Sequence, residues 1–368
     1  MRWGAGVGRI PWRGPWLAWL GCTLAAGGVA HSSNLGRPVH AVLLEAHTRH
    51  SPGAQVQRPP QGGGEQSQQA SMAAPSHHPA PLRHTSASTT RPDLGSAHRE
   101  GLVVHGGTPR RLILFTFDDG PDLRYTPKLL HSLRARQVQA MFFLTGRRLL
   151  GPQRRSQARR RLAAEIAAEG HVIASHTLDH LQLPLLKRTE VIQQLRGAER
   201  AFKLVFGARP WLVRPPGGAR SARVDGIISA RGYTQVMWNL GTGDTQSRSA
   251  EEVFRTWQKV MSRREREHGE RGGILLMHDT HPWSVEAFER IHAELERRNC
   301  ILATRGEELY DIVGDLSFFY APRSIEGASA AAPVAEPDPE VFALRQRRLR
   351  QETRARCTAG ALARHAKP

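Results

Sequence analysis

The sequence predicts an α/β fold in which parallel strands, joined by crossover helices, curl into a barrel. Between about residues 110 and 316, short apolar runs alternate with amphipathic stretches, the pattern of strands delivered in parallel by helices. Seven such runs are visible, which makes the barrel incomplete or distorted. Polar clusters follow at least five of them, on the face where strand-to-helix loops converge in such barrels. A doubly wound open sheet is the alternative, but it would gather its ligands at a single crevice.

The predicted strands are 112–116, 140–145, 171–175, 211–214, 234–238, 273–277 and 300–304. Helices are predicted over 126–136, 190–206, 251–266 and 285–298. In the second of these, Ile192, Leu195, Glu199 and Phe202 follow the three-to-four spacing of a helix with one buried face.

The flanks read differently. Residues 1–30 carry Arg2, Arg9 and Arg13, then an apolar run over 16–29 that ends in the small-residue cleavage candidate Gly28-Val29-Ala30, so they read as an export signal. That run is shorter than the roughly 18 residues of a membrane-spanning helix. A lipid anchor through Leu20-Gly21-Cys22 is an alternative. Residues 31–100 are rich in Pro, Gln, Ser, Gly and His and cannot repay their ordering entropy, which predicts a disordered linker. The catalytic domain is placed at 101–320. An Ala/Pro linker and an arginine-rich tail, helical or loose, make up 321–368. Cleavage after Ala30 would leave only Cys300 and Cys357, one in a strand-like run and the other in the tail. No structural disulfide is therefore expected, and neither thiol has a metal-ligand spacing.

Lys and Arg number 52 against 33 Asp and Glu, a net charge of +19 that would draw the chain toward polyanions. The basic segments are 154–161, 263–271 and the tail. For an exported protein the matching partner is an anionic envelope polymer or a lipid surface, and the tail is expected to strengthen that attachment. No aromatic-interleaved motif points to nucleic acid, which is not an expected partner.

The chemistry begins at Thr116-Phe117-Asp118-Asp119-Gly120-Pro121. Side chains alternate along a strand and Gly-Pro turns the chain, so the two carboxylates diverge at a strand end. One can bind a metal while the other stays a free base, and their mutual repulsion calls for a cation or an arginine nearby. Alone, the motif would also fit an Asx-type turn. His176 and His180 lie four apart, on one face of a helical turn, where with Asp119 they form a three-ligand set open to water. A metal so held lowers the pKa of water from roughly 15.7 to about 7. Arg214, in Arg214-Pro215-Pro216-Gly217, can hold Asp118 in its charged form. The backbone N–H at Gly217 could steady an oxyanion. His278 is suited to protonate a leaving group. Asp244 is the natural carboxylate to orient it, with Asp279 and Asp315 competing for that role.

These motifs, in this order, closely resemble the polysaccharide deacetylases, the family 4 carbohydrate esterases, over about residues 110–316. The resemblance implies a distorted (β/α)7 barrel and metal-dependent removal of acetyl groups, mostly N-acetyl on glucosamine polymers and sometimes O-acetyl on xylan. It implies Asp118 as base, Asp119, His176 and His180 as ligands of zinc or cobalt, Arg214 orienting the base, and His278 as acid. Two departures stand out. Gly217 replaces the usual tyrosine of Arg-Pro-Pro-Tyr. Gly241-Thr242-Gly243-Asp244-Thr245 keeps only the second Asp of Asp-x-x-Asp-Trp.

The expected function is thus deacetylation of an extracytoplasmic polysaccharide such as peptidoglycan, a chitin-like polymer or poly-N-acetylglucosamine. Alternatives are a catalytically weakened envelope-polymer-binding protein on the same barrel, or a metal amidohydrolase of small substrates.

Overall fold

A computed structural model describes residues 92–320 and 337–365, with side chains through 358. The export signal, the linker up to residue 91 and the 321–336 segment lie outside the described residues. No described helix is long and apolar enough to cross a membrane.

Nine strands are present among the described residues: β1 (Val103–Val104), β2 (Leu112–Asp118), β3 (Met141–Leu144), β4 (Val172–Ser175), β5 (Leu212–Val213), β6 (Thr234–Val236), β7 (Leu240–Gly241), β8 (Gly273–His278) and β9 (Asp311–Ile312). They form one parallel sheet in the order β1-β6-β5-β4-β3-β2-β8-β7, with β9 paired to the start of β2. The helices are α1 (Thr126–Ala135), α2 (Gly146–Leu149), α3 (Arg154–Ala168), α4 (Arg188–Phe206), α5 (Ala222–Ser229), α6 (Ala250–His268), α7 (Pro282–Thr304) and α8 (Pro339–His365). The fold is therefore a curled parallel sheet of the expected distorted-barrel class.

Period-two alternation sorts the strand side chains into two cores. Leu112, Leu114, Met141, Phe143, Val172, Ala174, Leu212, Val236 and Ile274 form the inner cluster, which Leu316, Phe319 and Tyr320 also join. Ile113, Phe115, Phe117, Phe142, Leu144, Ile173, Leu275 and Met277 point the other way, into the layer that packs against the helices. Extending the inner register past each apolar pair reaches Asp118, His176, Arg214, Trp238 and His278. The hydrophobic pattern that builds the barrel also aims its polar strand ends inward.

The sheet has a seam. β6 and β7 are only three residues apart in sequence yet stand at different places in the strand order, since β6 pairs with β1 and β5 and β7 pairs with β8. Asn239 bridges this break. Its amide accepts from the Ile274 N–H at 3.0 Å and donates to the Gly272 carbonyl at 3.0 Å, doing with a side chain what a strand neighbour does with backbone. A Cβ at Gly273 would collide with that amide.

Three sequence expectations are corrected. The 300–304 run is not a strand but the last turn of α7. Its apolar residues continue the helical stripe of Phe288, Ile291, Leu295 and Leu302, and a short apolar run carries no period of its own. Ordered structure begins before residue 101: Leu94 is buried, and Asp93 and Leu94 carbonyls accept from Ile173 and Trp211 N–H groups, each at 2.9 Å. Cys300 and Cys357 are joined in a disulfide whose Cα atoms lie 6.0 Å apart. Once residue 300 is helical and the tail is itself helix α8, the two thiols face each other across packed helices.

Helix α8 is docked at the end of the barrel away from Asp118. Arg345 forms a two-bond pair with Asp311 (2.7 and 2.9 Å), the Gln346 amide bonds both backbone groups of Leu309 (2.9 and 3.1 Å), and Arg356 meets Glu296 at 2.6 Å. The disulfide closes a loop with a sequence separation of 57 residues, which by chain-entropy reasoning stabilises the fold by about 3–5 kcal/mol. Replacing Cys300 and Cys357 with serine is expected to lower the unfolding free energy from a urea titration by an amount of that order, and so to lower the midpoint, read by far-UV circular dichroism. An unchanged midpoint would mean that α8 adds nothing to the cooperative unit.

Candidate active site

All the expected chemical groups except Asp315 gather at the carboxyl ends of the strands. Asp118 ends β2 on its inner face and is 2% exposed. Arg214, one residue past β5, is 0% exposed and spends no donor on solvent: Nη1 donates to Asp118 Oδ1 (2.7 Å) and Thr116 Oγ1 (2.8 Å), Nε to the Val236 carbonyl (2.8 Å), and Nη2 to the Met237 carbonyl (3.2 Å). Its guanidinium stacks over Phe143 with 4.0 Å to the ring centre. One side chain thus fixes the carboxylate and satisfies the carbonyls where β6 leaves the sheet. Burial pushes the Asp118 carboxyl above the usual carboxylate range, opposed by Arg214 and then His278.

Beside this pair, Asp119 Oδ1 lies 3.6 Å from His176 Nε2 and 3.2 Å from His180 Nε2, and the three donor atoms fall within 4.8 Å of one another. The expected helical turn under the two histidines is absent. The chain after β4 is an irregular loop in which Thr177 (φ 65°) and His180 (φ 59°) adopt left-handed backbone, as does Asp119 (φ 74°). Non-glycine residues rarely sit there, and such strain concentrates at functional sites. Neighbouring hydrogen bonds hold the loop: Thr177 and Leu178 carbonyls accept from Gly146 and Arg147 N–H groups (2.9 and 2.8 Å), and Asp179 pairs with Arg147 at 2.6 Å and with the Gln194 amide at 2.9 Å.

The donor set fits a cation. His176 Nδ1 is 2.8 Å from the Arg214 carbonyl, which makes Nδ1 the protonated nitrogen and leaves the Nε2 lone pair toward the cluster. Burial pushes His176 down to about 3, so the ring is neutral, as a ligand must be. Asp119 Oδ1 is buried with no hydrogen-bond donor among the described residues. An acceptor and two imidazole lone pairs facing one point are what a divalent metal would satisfy.

His278 ends β8, where it is the register partner of Asp118 on β2. Asp244 Oδ1 lies 2.9 Å from His278 Nδ1, while its Oδ2 accepts from the His278 N–H (2.7 Å) and the Ser284 hydroxyl (2.6 Å). Burial works against the imidazolium, but the hydrogen bond and charge of Asp244, with the charges of Asp118 and Asp119, carry His278 up to about 9. The two competitors for Asp244's place are elsewhere. Asp279 is buried against Gly120 and accepts from Thr126, and burial pushes it up to about 7. Asp315 caps the short turn at Leu316–Phe319, accepting from Ser317 N–H at 2.7 Å.

Gly217 lies in a tight turn at φ 61°, and a Cβ there would meet nothing within 4 Å, so the space a tyrosine would fill is open. Trp238, partly buried, packs against the next residue: a Cβ on Gly218 would lie 2.7 Å from its ring. Sequence reasoning missed Trp238, although it is the last residue of the predicted strand 234–238. It also missed Ser284 and Trp283, whose indole N–H donates to the Asp244 carbonyl at 2.7 Å. Trp283 and Ser284 sit at the start of a helix, beyond the reach of strand-end reasoning.

Residues 105–236 match the family model described as polysaccharide deacetylase. A peptidoglycan-N-acetylglucosamine deacetylase of Bacillus cereus is 29% identical over 196 residues, covering 52% of this chain and 66% of the relative. A chitin deacetylase of Colletotrichum lindemuthianum is 29% identical over 212 residues, 57% of this chain and 84% of the relative. The peptidoglycan-N-acetylglucosamine deacetylase PgdA of Listeria monocytogenes is 30% identical over 229 residues, 62% of this chain and 45% of the relative. The chain thus spans less than half the length of the Listeria protein and just under two thirds of the Bacillus one.

Removing Arg214 would leave Asp118 as a buried unpaired charge, so Arg214→Met is expected to destabilise the fold by about 3–5 kcal/mol. Denaturant titration checks this, with an exposed arginine such as Arg255 changed to Met as the control that should move little.

Proposed function

We propose that this chain, whose residues 105–236 match the polysaccharide deacetylase family model, hydrolyses acetyl groups, foremost N-acetyl, from an acetylated polysaccharide outside the cytoplasm. The observation that carries this reading is the cluster of Asp119, His176 and His180 donor atoms, with Asp118 and His278 beside it as register partners at the ends of β2 and β8. Those three residues would hold a divalent cation, zinc in this reading with cobalt as the alternative. When bound, it polarises the acetyl carbonyl and makes water more acidic.

The chain's own groups do the rest. Arg214 engages Asp118 Oδ1, so Oδ2 faces the cluster, 3.7 Å from His176 Nε2, where it can take the proton of an attacking water. A carboxyl raised by burial is a stronger base than one in solvent. Asp244 occupies His278 Nδ1, which leaves Nε2 to protonate the departing nitrogen as acetate is released. The backbone at Gly217, in its open turn, is the proposed oxyanion donor.

The named relatives act on peptidoglycan and on chitin, and both polymers lie outside the cytoplasm. Export is supported by the signal-like opening residues and by the Cys300–Cys357 disulfide, since such bonds persist in oxidising compartments. In this reading the catalytic unit extends from about residue 92 to 320, the proposed signal and linker precede it, and the tail helix is fastened to it.

Asp118→Asn is expected to bind zinc in calorimetry like the parent while acetate release from N-acetylglucosamine oligomers falls by about 10²- to 10⁴-fold. A variant that retained full turnover would favour a polymer-binding protein on the same barrel. His278 must be protonated to donate. Its pKa is raised above the ordinary 6.5, so the acid is present through neutral pH and turnover should fall as pH rises through about 9. A pH profile of kcat/KM reads this limb, and His278→Ala should abolish it.

A further inference from the structure

Helix α2 starts at the carboxyl end of β3, and α3 follows after a four-residue link, so their arginines stand beside the loops that carry Asp119 and His180. Some have partners. Arg147 pairs with Asp179, Arg148 lies 3.9 Å from Asp122 in the loop after β2, and Arg160 donates to the Leu149 and Gly151 carbonyls at 2.9 Å each. Arg155 and Arg159 differ. They lie one helical turn apart on the same face, and neither has a carboxylate within 4.0 Å among the described residues. Arg155 is exposed. Arg159 is half-buried, and its Nε is buried with no acceptor among the described residues.

Burial, then the positive charges of Arg148 and Arg155, push the Arg159 guanidinium below its usual range, and Asp122 is the sole opposing charge acting on it. The first turn of α3 carries no acid. Arg148 lies against Asp122 in the loop that follows Asp119, and Arg155 and Arg159 add two guanidiniums on the next helix with no carboxylate of their own within 4.0 Å among the described residues. Like charges at this spacing repel unless an external oxyanion joins them, and the planar arginine fork suits a carboxylate or phosphate.

We propose that Arg148, Arg155 and Arg159 form an anion subsite at the rim of the active site that takes carboxylates carried by the glycan substrate. The proposal builds on the deacetylase reading and narrows it: the preferred polymer is an anionic glycan, as peptidoglycan with its carboxylate-bearing sugar and peptide groups is, in place of a neutral one such as chitin. Phosphate-bearing wall polymers are the competing source of the same oxyanion chemistry.

The test compares the full chain with Arg155→Gln/Arg159→Gln, leaving Arg148 and every proposed catalytic group intact. With zinc present, kcat/KM on soluble, phosphate-free peptidoglycan strands is expected to fall about tenfold in the variant, while kcat/KM on neutral chitotetraose stays unchanged. Raising the salt should erase most of the difference, because exposed charges are screened beyond about 8 Å at 0.15 M. An equal effect on both substrates, or none on peptidoglycan, overturns the proposal. So does a loss confined to phosphate-bearing wall material. Cosedimentation with phosphate-free sacculi at low salt reads the subsite without turnover. Were neither substrate to release acetate, the deacetylase reading would fail. A variant that still sedimented less than the parent would support the subsite, and one that sedimented equally would end it.

Discussion

The fold and the site meet in one buried guanidinium. Arg214 has no exposure to water, so its charge must be answered inside the protein. The answer is distributed: a carboxylate from β2, a hydroxyl one turn of the strand earlier, and two carbonyls where β6 breaks away from the sheet. Its own carbonyl accepts from His176 and so sets that ring's tautomer. Strand register, the sheet's seam, the candidate base and one candidate metal ligand are therefore coupled through a single side chain. Burying such an ion pair does little for net stability. What it gives the proposed reaction is a carboxylate held in one orientation, with one oxygen engaged and the other facing the donor cluster.

Much of this was legible in the sequence because a strand's alternation is simple. Leu112 and Leu114 face inward, so Thr116 and Asp118 must follow them, and Asp119 must diverge. The same counting from Ala174, Leu212 and Ile274 reaches His176, Arg214 and His278. The resemblance to a known family then supplied roles that alternation alone could not. What escaped the sequence was whatever lacked a period. β1, β7 and β9 are two residues long, and the irregular turn after β4 depends on left-handed residues that no propensity would place at Thr177 or His180. Cys300-Ile301-Leu302 is too short to tell strand from helix, and misreading it concealed the disulfide as well.

Charge is the second theme. The tail arginines, expected to face an anionic envelope, are partly engaged with the barrel itself through Asp311 and Glu296, and the disulfide fastens their helix in place. Arg155 and Arg159 of α3 are different, because they lack such partners among the described residues. Part of the net charge of +19 thus fastens the fold, and part has no carboxylate partner among the described residues.

The central claim is that Asp119, His176 and His180 share one divalent cation. X-ray absorption spectroscopy of the zinc-loaded protein tests it most directly. The account predicts a first shell of nitrogen and oxygen at about 2.0–2.2 Å, with the outer-shell scattering of two imidazoles that drops to one in His180→Ala. A shell without imidazole scattering, or one unchanged by that substitution, would contradict it.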